Sequence, residues 1–320
     1  MSVITVLGAT GIQGGSVVRK LTQNPSWRVR AITRNPEGEN AKELQSQDIE
    51  VAQGDLDDVE SLKTAFMGST AIFSVTNFWQ NVPIHPSLLK ENGEKEYQQM
   101  LNIGKAAFEI PTLKHLVVSS LTGPQKISGG KYHVPHMDYK ARAVEEIETR
   151  FPTLAAKITI LWVGWYPTNL TIPLLRPFLW PATGKYVWLM PSKPSGKLPI
   201  AGDESHNVGI VVERILECPS QTMDKIVGLA VEYLDHTEVL KVWEKVTGNE
   251  AIYIELTGEA AAGLIGVAAI DLEVHLRFSE EYPDVGTYER GRFVKPTDIG
   301  LGEELIGLEG TLRSYSDSLL

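Results

Sequence analysis

Gly8, Gly11 and Gly14 recur at every third residue of Gly8-Ala9-Thr10-Gly11-Ile12-Gln13-Gly14, between a short apolar run (residues 3–7) and a helical pattern (13–22). A bend free of side chains there lets main-chain N–H groups approach a diphosphate, and a helix N-terminus attracts its charge. The bland alternative is a tight strand-to-helix turn, but the flanking elements favour binding. The second β-rich run ends in Thr33-Arg34-Asn35-Pro36, with no acid before Glu37. An acid at that point accepts from ribose hydroxyls, whereas a guanidinium pairs with a 2′-phosphate. The two features together predict a nicotinamide dinucleotide, NADP(H) rather than NAD(H), with Lys42 either a helper or an exposed lysine. His133, His136 and Asp138 sketch a metal site without a further defined ligand, and no metal is expected.

These side chains need a scaffold. Strands are predicted at 3–7, 28–33, 50–52, 71–75, 116–119 and 156–161, with helices at 13–22, 39–46, 59–67, 94–108 and 135–149 between them. Short continuous apolar strands alternating with helices imply a doubly wound, Rossmann-type parallel sheet, an α/β fold. Residues 77–93 carry two prolines and read as a substrate-covering loop. The second half is less regular: a strand at 185–190, helices at 207–216 and 237–246, the latter capped by Thr237, and two more at 260–270 and 301–312. The division is a dinucleotide-binding domain over residues 1–161 and a smaller α/β substrate-binding lobe over 162–320, some of whose segments return to the sheet.

The formal net charge of −10, from 30 Lys and Arg against 40 Asp and Glu, argues against direct nucleic-acid binding. Cys218 is the only cysteine, so no intrachain disulfide forms. Residues 260–270 make an apolar stretch of about half the roughly 20 residues that a membrane span requires. Residues 2–7 already read as a core strand, leaving no room for a secretory leader. The expectation is a soluble cytoplasmic protein without membrane contact.

The chain resembles the NmrA-like members of the atypical short-chain dehydrogenase/reductases. The resemblance rests on GATGIQGGSVV (8–18), RAITRNP (30–36), QGDLDD (53–58), AIFSVTNFW (71–79), LVVSS (116–120), DYKARAVEE (138–146) and LWVGWYPTNL (161–170). It implies that Gly8, Thr10, Gly11, Ile12, Gln13 and Gly14 cradle the pyrophosphate and Arg34 the 2′-phosphate. Asp55 and Leu56 then flank the adenine, a role that Asp55-Leu56 after the third strand also suggests, unless the pair is an ordinary helix-start turn. Thr76, Asn77 and Phe78 line the path to the nicotinamide, Lys140 bonds its ribose, and Gly164, Trp165 and Tyr166 border the ring. Active short-chain reductases usually place a proton-donating Tyr four residues before this Lys. Here that position is His136, while Tyr132 and Tyr139 have the wrong spacing to replace it. An imidazole can act as general acid near neutral pH, and one helical turn from Lys140 it can serve the same pocket; the bland reading of His136 is a helix-start histidine bonded to backbone.

Phe78, Trp79, Trp162, Trp165, Tyr166, Trp180, Tyr186 and Trp188 fall in segments expected to frame the cleft, and suit a bulky hydrophobic or aromatic substrate. Taken singly, each is as well explained as core. Phe78, Trp79, Ser120, Trp165 and Tyr166 are the substrate candidates; Asp203, Glu204 and Glu213 are acids that a cationic nitrogen would suit. Two functions follow. One is an NADPH-dependent enzyme of secondary metabolism, alkaloid chemistry included, with Lys140 and His136 catalytic, reducing C=N, C=O or C=C or coupling redox to cyclisation. The other, also implied by the resemblance, is a non-catalytic NADP(H)-sensing regulator with a protein partner.

Overall fold

The computed structural model describes residues 1–80, 85–289 and 291–320. Apolar β-rich runs and helices alternate through the first half to give β1 (Ser2–Val6), β2 (Trp27–Thr33), β3 (Glu50–Gln53), β4 (Ala71–Ser74), β5 (His115–Ser120) and β6 (Ile158–Val163). The second half adds β7 (Phe178–Trp180), β8 (Lys185–Met190), β9 (Lys197–Ile200), β10 (Lys225–Leu229), β11 (Glu232–Asp235), β12 (Ala251–Glu255) and β13 (Phe293–Val294). Eight strands form one sheet in the order β13-β10-β6-β5-β4-β1-β2-β3, parallel throughout. The order 3-2-1-4-5-6 running in from its β3 edge is that of the doubly wound dinucleotide fold, and its direction reverses between β1 and β4. β4 and β5 are buried at every position, as a sheet covered on both faces requires.

Two apolar cores cover the faces. One joins Val17, Val18 and Leu21 of the Ile12–Thr22 helix to Val208, Val211, Val212 and Ile215 of the Glu204–Glu217 helix. The other gathers Leu62, Phe66, Met100, Ile103 and Ile147 against β4 and β5. A third core, around Trp188, Trp243, Leu240 and Leu276, lies between a three-stranded sheet (β12-β8-β7), a two-stranded one (β11-β9) and the helices His236–Thr247, Ala268–Glu281 and Leu308–Ser314. Residues 204–229 and 293–294 belong with the large sheet, so the second half crosses between the two assemblies.

Several expected elements differ. The loop predicted over 77–93 becomes a turn at Phe78–Gln80 and a helix, Ser87–Phe108, that starts a full two turns before residue 94; residues 81–84 lie outside the described residues. Its early buried positions include Asn92, Gly93 and Glu96, which breaks the apolar pattern. The helix expected at 260–270 is two, Gly258–Ile265 and Ala268–Glu281, separated by Gly266 at φ +84°. Only Leu308–Ser314 of 301–312 is helical, because the preceding backbone is tied to Asn207 and Glu232: Ile306 N donates to Asn207 Oδ1 (2.9 Å) and Leu308 N to Glu232 Oε2 (2.6 Å). The cap of the helix at 236–247 is Asp235, in a capping box with Glu238, not Thr237.

Candidate cofactor and substrate site

At the reversal between β1 and β4 the backbone makes a bend that no side chain could enter. Gly8 has φ +66°, and a Cβ there would stand 2.5 Å from Val75 Cγ1, just beyond β4. A Cβ on Gly14 would stand 2.2 Å from the Gly8 carbonyl oxygen, and Gly11 N donates to that oxygen at 2.9 Å. Gly11 caps the Ile12–Thr22 helix without a side-chain hydrogen bond, and the first turn holds no acid. The helix therefore ends in open N–H groups with a positive dipole end, the donor set a diphosphate needs. Thr10 and Ile12 are exposed beside it, Ile12 by half its surface.

The other expected cofactor residues surround this bend. Arg34 is exposed just past β2; with its amide oxygen turned inward, Gln80 accepts from both terminal guanidinium nitrogens at 3.1 Å. Gln80 is a neighbour that sequence reasoning missed. Lys42 is exposed and stands 4.0 Å from Glu37. Asp55 and Leu56 follow β3, next to β2: Asp55 Oδ1 accepts from Asp57 N at 3.0 Å, and the Leu56 carbonyl from Asn102 at 2.9 Å. The helix cap there is Asp58. Thr76 is buried after β4, Asn77 is exposed with its side chain bonded to Trp79 N (3.0 Å), and Phe78 is buried. After β6, Gly164 is packed so closely on β9 that a Cβ would lie 2.2 Å from Pro199 O, and Trp165 N donates to that oxygen at 2.6 Å. Tyr166 OH accepts from Gln13 Nε2 at 2.5 Å, linking the end of β6 to the glycine bend; burial pushes its pKa up to about 12.

Pro135 sits at the start of the Pro135–Arg150 helix, where its fixed φ suits the first turn. Lys140, on its buried face, places Nζ 2.8 Å from Thr76 Oγ1 and 2.6 Å from Glu96 Oε1. Glu96 is 1% exposed, so this is a buried ion pair joining two helices to the end of β4. No tyrosine takes part: Tyr139 packs on Gly93, and Tyr132 bonds to Glu281 (2.9 Å). His136 Nδ1 is hydrogen-bonded to Asp271 Oδ2 on the Ala268–Glu281 helix. His133 pairs with Asp138 instead, at 3.1 Å, so the residues sketched as a metal set hold different acids. Asp138 also accepts from the Gln125 and Val134 N–H groups (2.9 and 2.7 Å) and anchors the helix start. Neither Glu96 nor Asp271 is marked by any local motif; they lie 44 and 135 residues from their partners.

The expected aromatic frame divides. Trp79 and Phe78 stand 5.7 and 6.1 Å from the His136 ring. Trp188 and Tyr186 belong to the third core, Trp162 packs against Phe293, and Trp180 lies half exposed on β7 beside Phe178. Ser120 and Ser119 are buried at the end of β5. Of the three acids, Glu204 comes nearest the site: fully buried, it accepts from Thr168 Oγ1, and its pKa is raised by desolvation. Asp203 caps its own helix, and Glu213 holds Lys20 (3.0 Å) and Asn24 (2.9 Å). Among the described residues no helix is long and apolar enough to cross a membrane.

A parallel sheet with this strand order, and a side-chain-free bend before an uncapped helix at its reversal, define a Rossmann-type dinucleotide-binding protein. The chain matches the NmrA-like family over residues 1–298 and belongs to it. It is 29% identical over 270 residues to the NmrA-like family domain-containing oxidoreductase himF of Aspergillus japonicus, covering 80% of this chain and 76% of that one. Among solved structures, NmrA, a negative transcriptional regulator, in complex with NADP, superposes with a TM-score of 0.74 at 22% identity over 98% of this chain and 94% of that one. The NADPH-dependent quinone oxidoreductase QOR2 of Escherichia coli, complexed with NADPH, gives 0.71 at 20% identity over 98% and 99%.

Proposed function

We propose that this chain is an NADP(H)-dependent oxidoreductase acting on a bulky hydrophobic metabolite. The observation that carries the reading is the bare bend at Gly8, Gly11 and Gly14 opening onto a helix start with no cap and no acid, at the sheet's reversal. The family membership, and relatives named as oxidoreductases, support it. Gly8 to Gly14 would hold the pyrophosphate and Arg34 the 2′-phosphate, with Asp55 and Leu56 on the adenine side. Lys140, kept in place by Thr76 and Glu96, would face the nicotinamide ribose, with Asn77, Trp165 and Tyr166 towards the ring. The bound cofactor supplies a hydride to an unsaturated carbon. Phe78, Trp79 and Ser120 would border that carbon, and His136 would supply a proton where one is needed. Residues beyond 161 that pack around the third core form the substrate lobe. A regulatory reading keeps one specific observation: Lys140 has no phenol partner, the arrangement a cofactor sensor without turnover would also show.

Calorimetry with NADPH, followed by loss of the reduced-nicotinamide absorbance with cyclic iminium ions and aryl enones, tests both readings. NADPH should bind more tightly than NADH. Arg34→Ala should remove most of that preference, about 1.5–3 kcal/mol for a charge-assisted contact. A chain that ignores both cofactors ends the proposal; binding without turnover of any acceptor leaves the regulator.

A further inference from the structure

Two groups near the nicotinamide end carry protons, and their surroundings differ. The Lys140 ammonium is enclosed: it donates to Thr76 Oγ1 and Glu96 Oε1, with the Thr76 carbonyl at 3.4 Å taking up the remaining direction. Its charge is neutralised inside the protein, and its hydrogens are committed to holding the end of β4. His136 differs in its hydrogen bonding rather than in its burial: its ring is tied through Nδ1 to Asp271 and otherwise packs among the rings of Phe78, Trp79 and His275.

We infer that Asp271 is the positioning residue of a His136 proton donor, and that Lys140 only binds. Asp271 Oδ2 takes Nδ1 of the ring while Oδ1 accepts the His136 backbone N–H at 3.3 Å, so one carboxylate fixes both ring and main chain. With Nδ1 occupied, Nε2 is the nitrogen left to meet a ligand, beside Trp79 and Phe78. This is the carboxylate–imidazole logic that sets tautomer and orientation in acid–base sites. Asp271 is 1% exposed; burial pushes its pKa up, but the charge of His136 and the hydrogen bonds from it bring it below the ordinary value. Among the described residues the charged and titratable groups facing His136 come from two helices. From the Ala268–Glu281 helix come Asp271 and His275, whose ring stands 5.2 Å away and which burial keeps neutral with a pKa of about 3. From its own helix comes Lys140, paired with Glu96; the Phe78–Gln80 turn contributes uncharged rings.

The inference deepens the proposed oxidoreductase reading and rests on it for its chemical step. Hydride from NADPH adds to the carbon of a C=O, or to the β-carbon of an enone. The π electrons move to oxygen, or through it to the α-carbon, and the imidazolium Nε2–H bond breaks to place its proton there. NADP⁺ and neutral His136 remain, and solvent restores the proton. An iminium carbon takes the hydride and becomes a neutral amine with no proton required.

The test is Asp271→Asn with NADPH, using a chalcone and an N-methyl dihydroisoquinolinium ion as acceptors. Chalcone reduction should fall by about 10²-fold, the lower end of general-acid effects. Iminium reduction should stay within about twofold, and Asp271→Glu should recover part of the chalcone rate. Independently of turnover, nitrogen NMR of the imidazoles should show His136 protonated on Nδ1 when neutral. In Asp271→Asn that preference for the Nδ1 tautomer should be lost. An unchanged ring in the NMR overturns the Asp271 assignment even if no acceptor is ever reduced. Equal losses on both acceptors overturn the proton-donor role. An inert wild-type chain with the expected NMR response overturns the oxidoreductase reading while leaving the positioning intact.

Discussion

An ammonium and a carboxylate removed from water together each lose several kcal/mol of hydration, recovered only if their polar atoms are met. Lys140 and Glu96 meet that condition in part: Glu96 Oε1 has the lysine, while Glu96 Oε2 is buried without a hydrogen-bond partner. Deleting one member is therefore worse than deleting both. Lys140→Met should destabilise the fold by about 3–5 kcal/mol in urea unfolding, because it strands a carboxylate that is 1% exposed. Adding Glu96→Leu should return most of that loss while NADPH binding stays weak. If the double variant is no more stable than the single one, the pair is not the source of the cost. The lysine was visible in the sequence through the resemblance of DYKARAVEE (138–146) to the family. Its partner was not, because a buried Glu on a different helix leaves no mark in local spacing.

At the scale of elements, the glycine bend and the Gly266 break make opposite demands on a methyl group. At Gly14 the added Cβ would meet backbone, 2.2 Å from Gly8 O, and backbone cannot swing aside as a flexible side chain can. Gly14→Ala should lower NADPH affinity at least tenfold, roughly 1.4 kcal/mol by calorimetry, and cost about 1–3 kcal/mol of stability through overpacking. Gly266 has φ +84° and ψ −160° but nothing within 4 Å of a Cβ, so Gly266→Ala should cost only the conformational term, about 1–3 kcal/mol, and leave NADPH affinity unchanged. Equal affinity losses in both variants would mean that the bend binds nothing. The same contrast explains what was legible. The first-half strands and most of the helices between them announce themselves through apolar runs and helical periodicity. The helix starting at Ser87 does not: it opens at Pro86 with no side-chain cap, and buries Asn92 and Glu96 on its inner face. Residues 301–307 have the composition of a helix, but Asn207 and Glu232 claim their backbone from a distance. The site was readable where glycines shape the backbone of the bend. It was opaque where a carboxylate arrives from another element, as Asp271 does.

The whole molecule combines one large parallel sheet with a third core that buries a histidine. His236 is 1% exposed, with the rings of Trp188 and Tyr253 at 5.6 and 5.3 Å, and desolvation lowers its pKa to about 4 from an ordinary 6.5. A folded-state pKa below the unfolded one means that the unfolded chain takes up the proton first. Stability is then fully present above the unfolded value and is lost as pH falls from 6.5 towards 4. Between pH 7 and pH 5, about one and a half units of that difference are realised, or roughly 2 kcal/mol for this one residue. His236→Phe keeps a ring in the aromatic cluster and removes the proton acceptor. The wild type should lose about 2 kcal/mol more unfolding free energy over that interval than the variant does, as measured by urea denaturation at each pH. His115, 4% exposed beside Thr159 between β5 and β6 and likewise lowered to about 4 by burial, lies in the large sheet and gives an internal comparison. If the sheet and the third core unfold as one cooperative unit, both histidines contribute to a single transition. If acid releases the third core first, His236→Phe removes an early phase and leaves the later one, governed by His115, where it was.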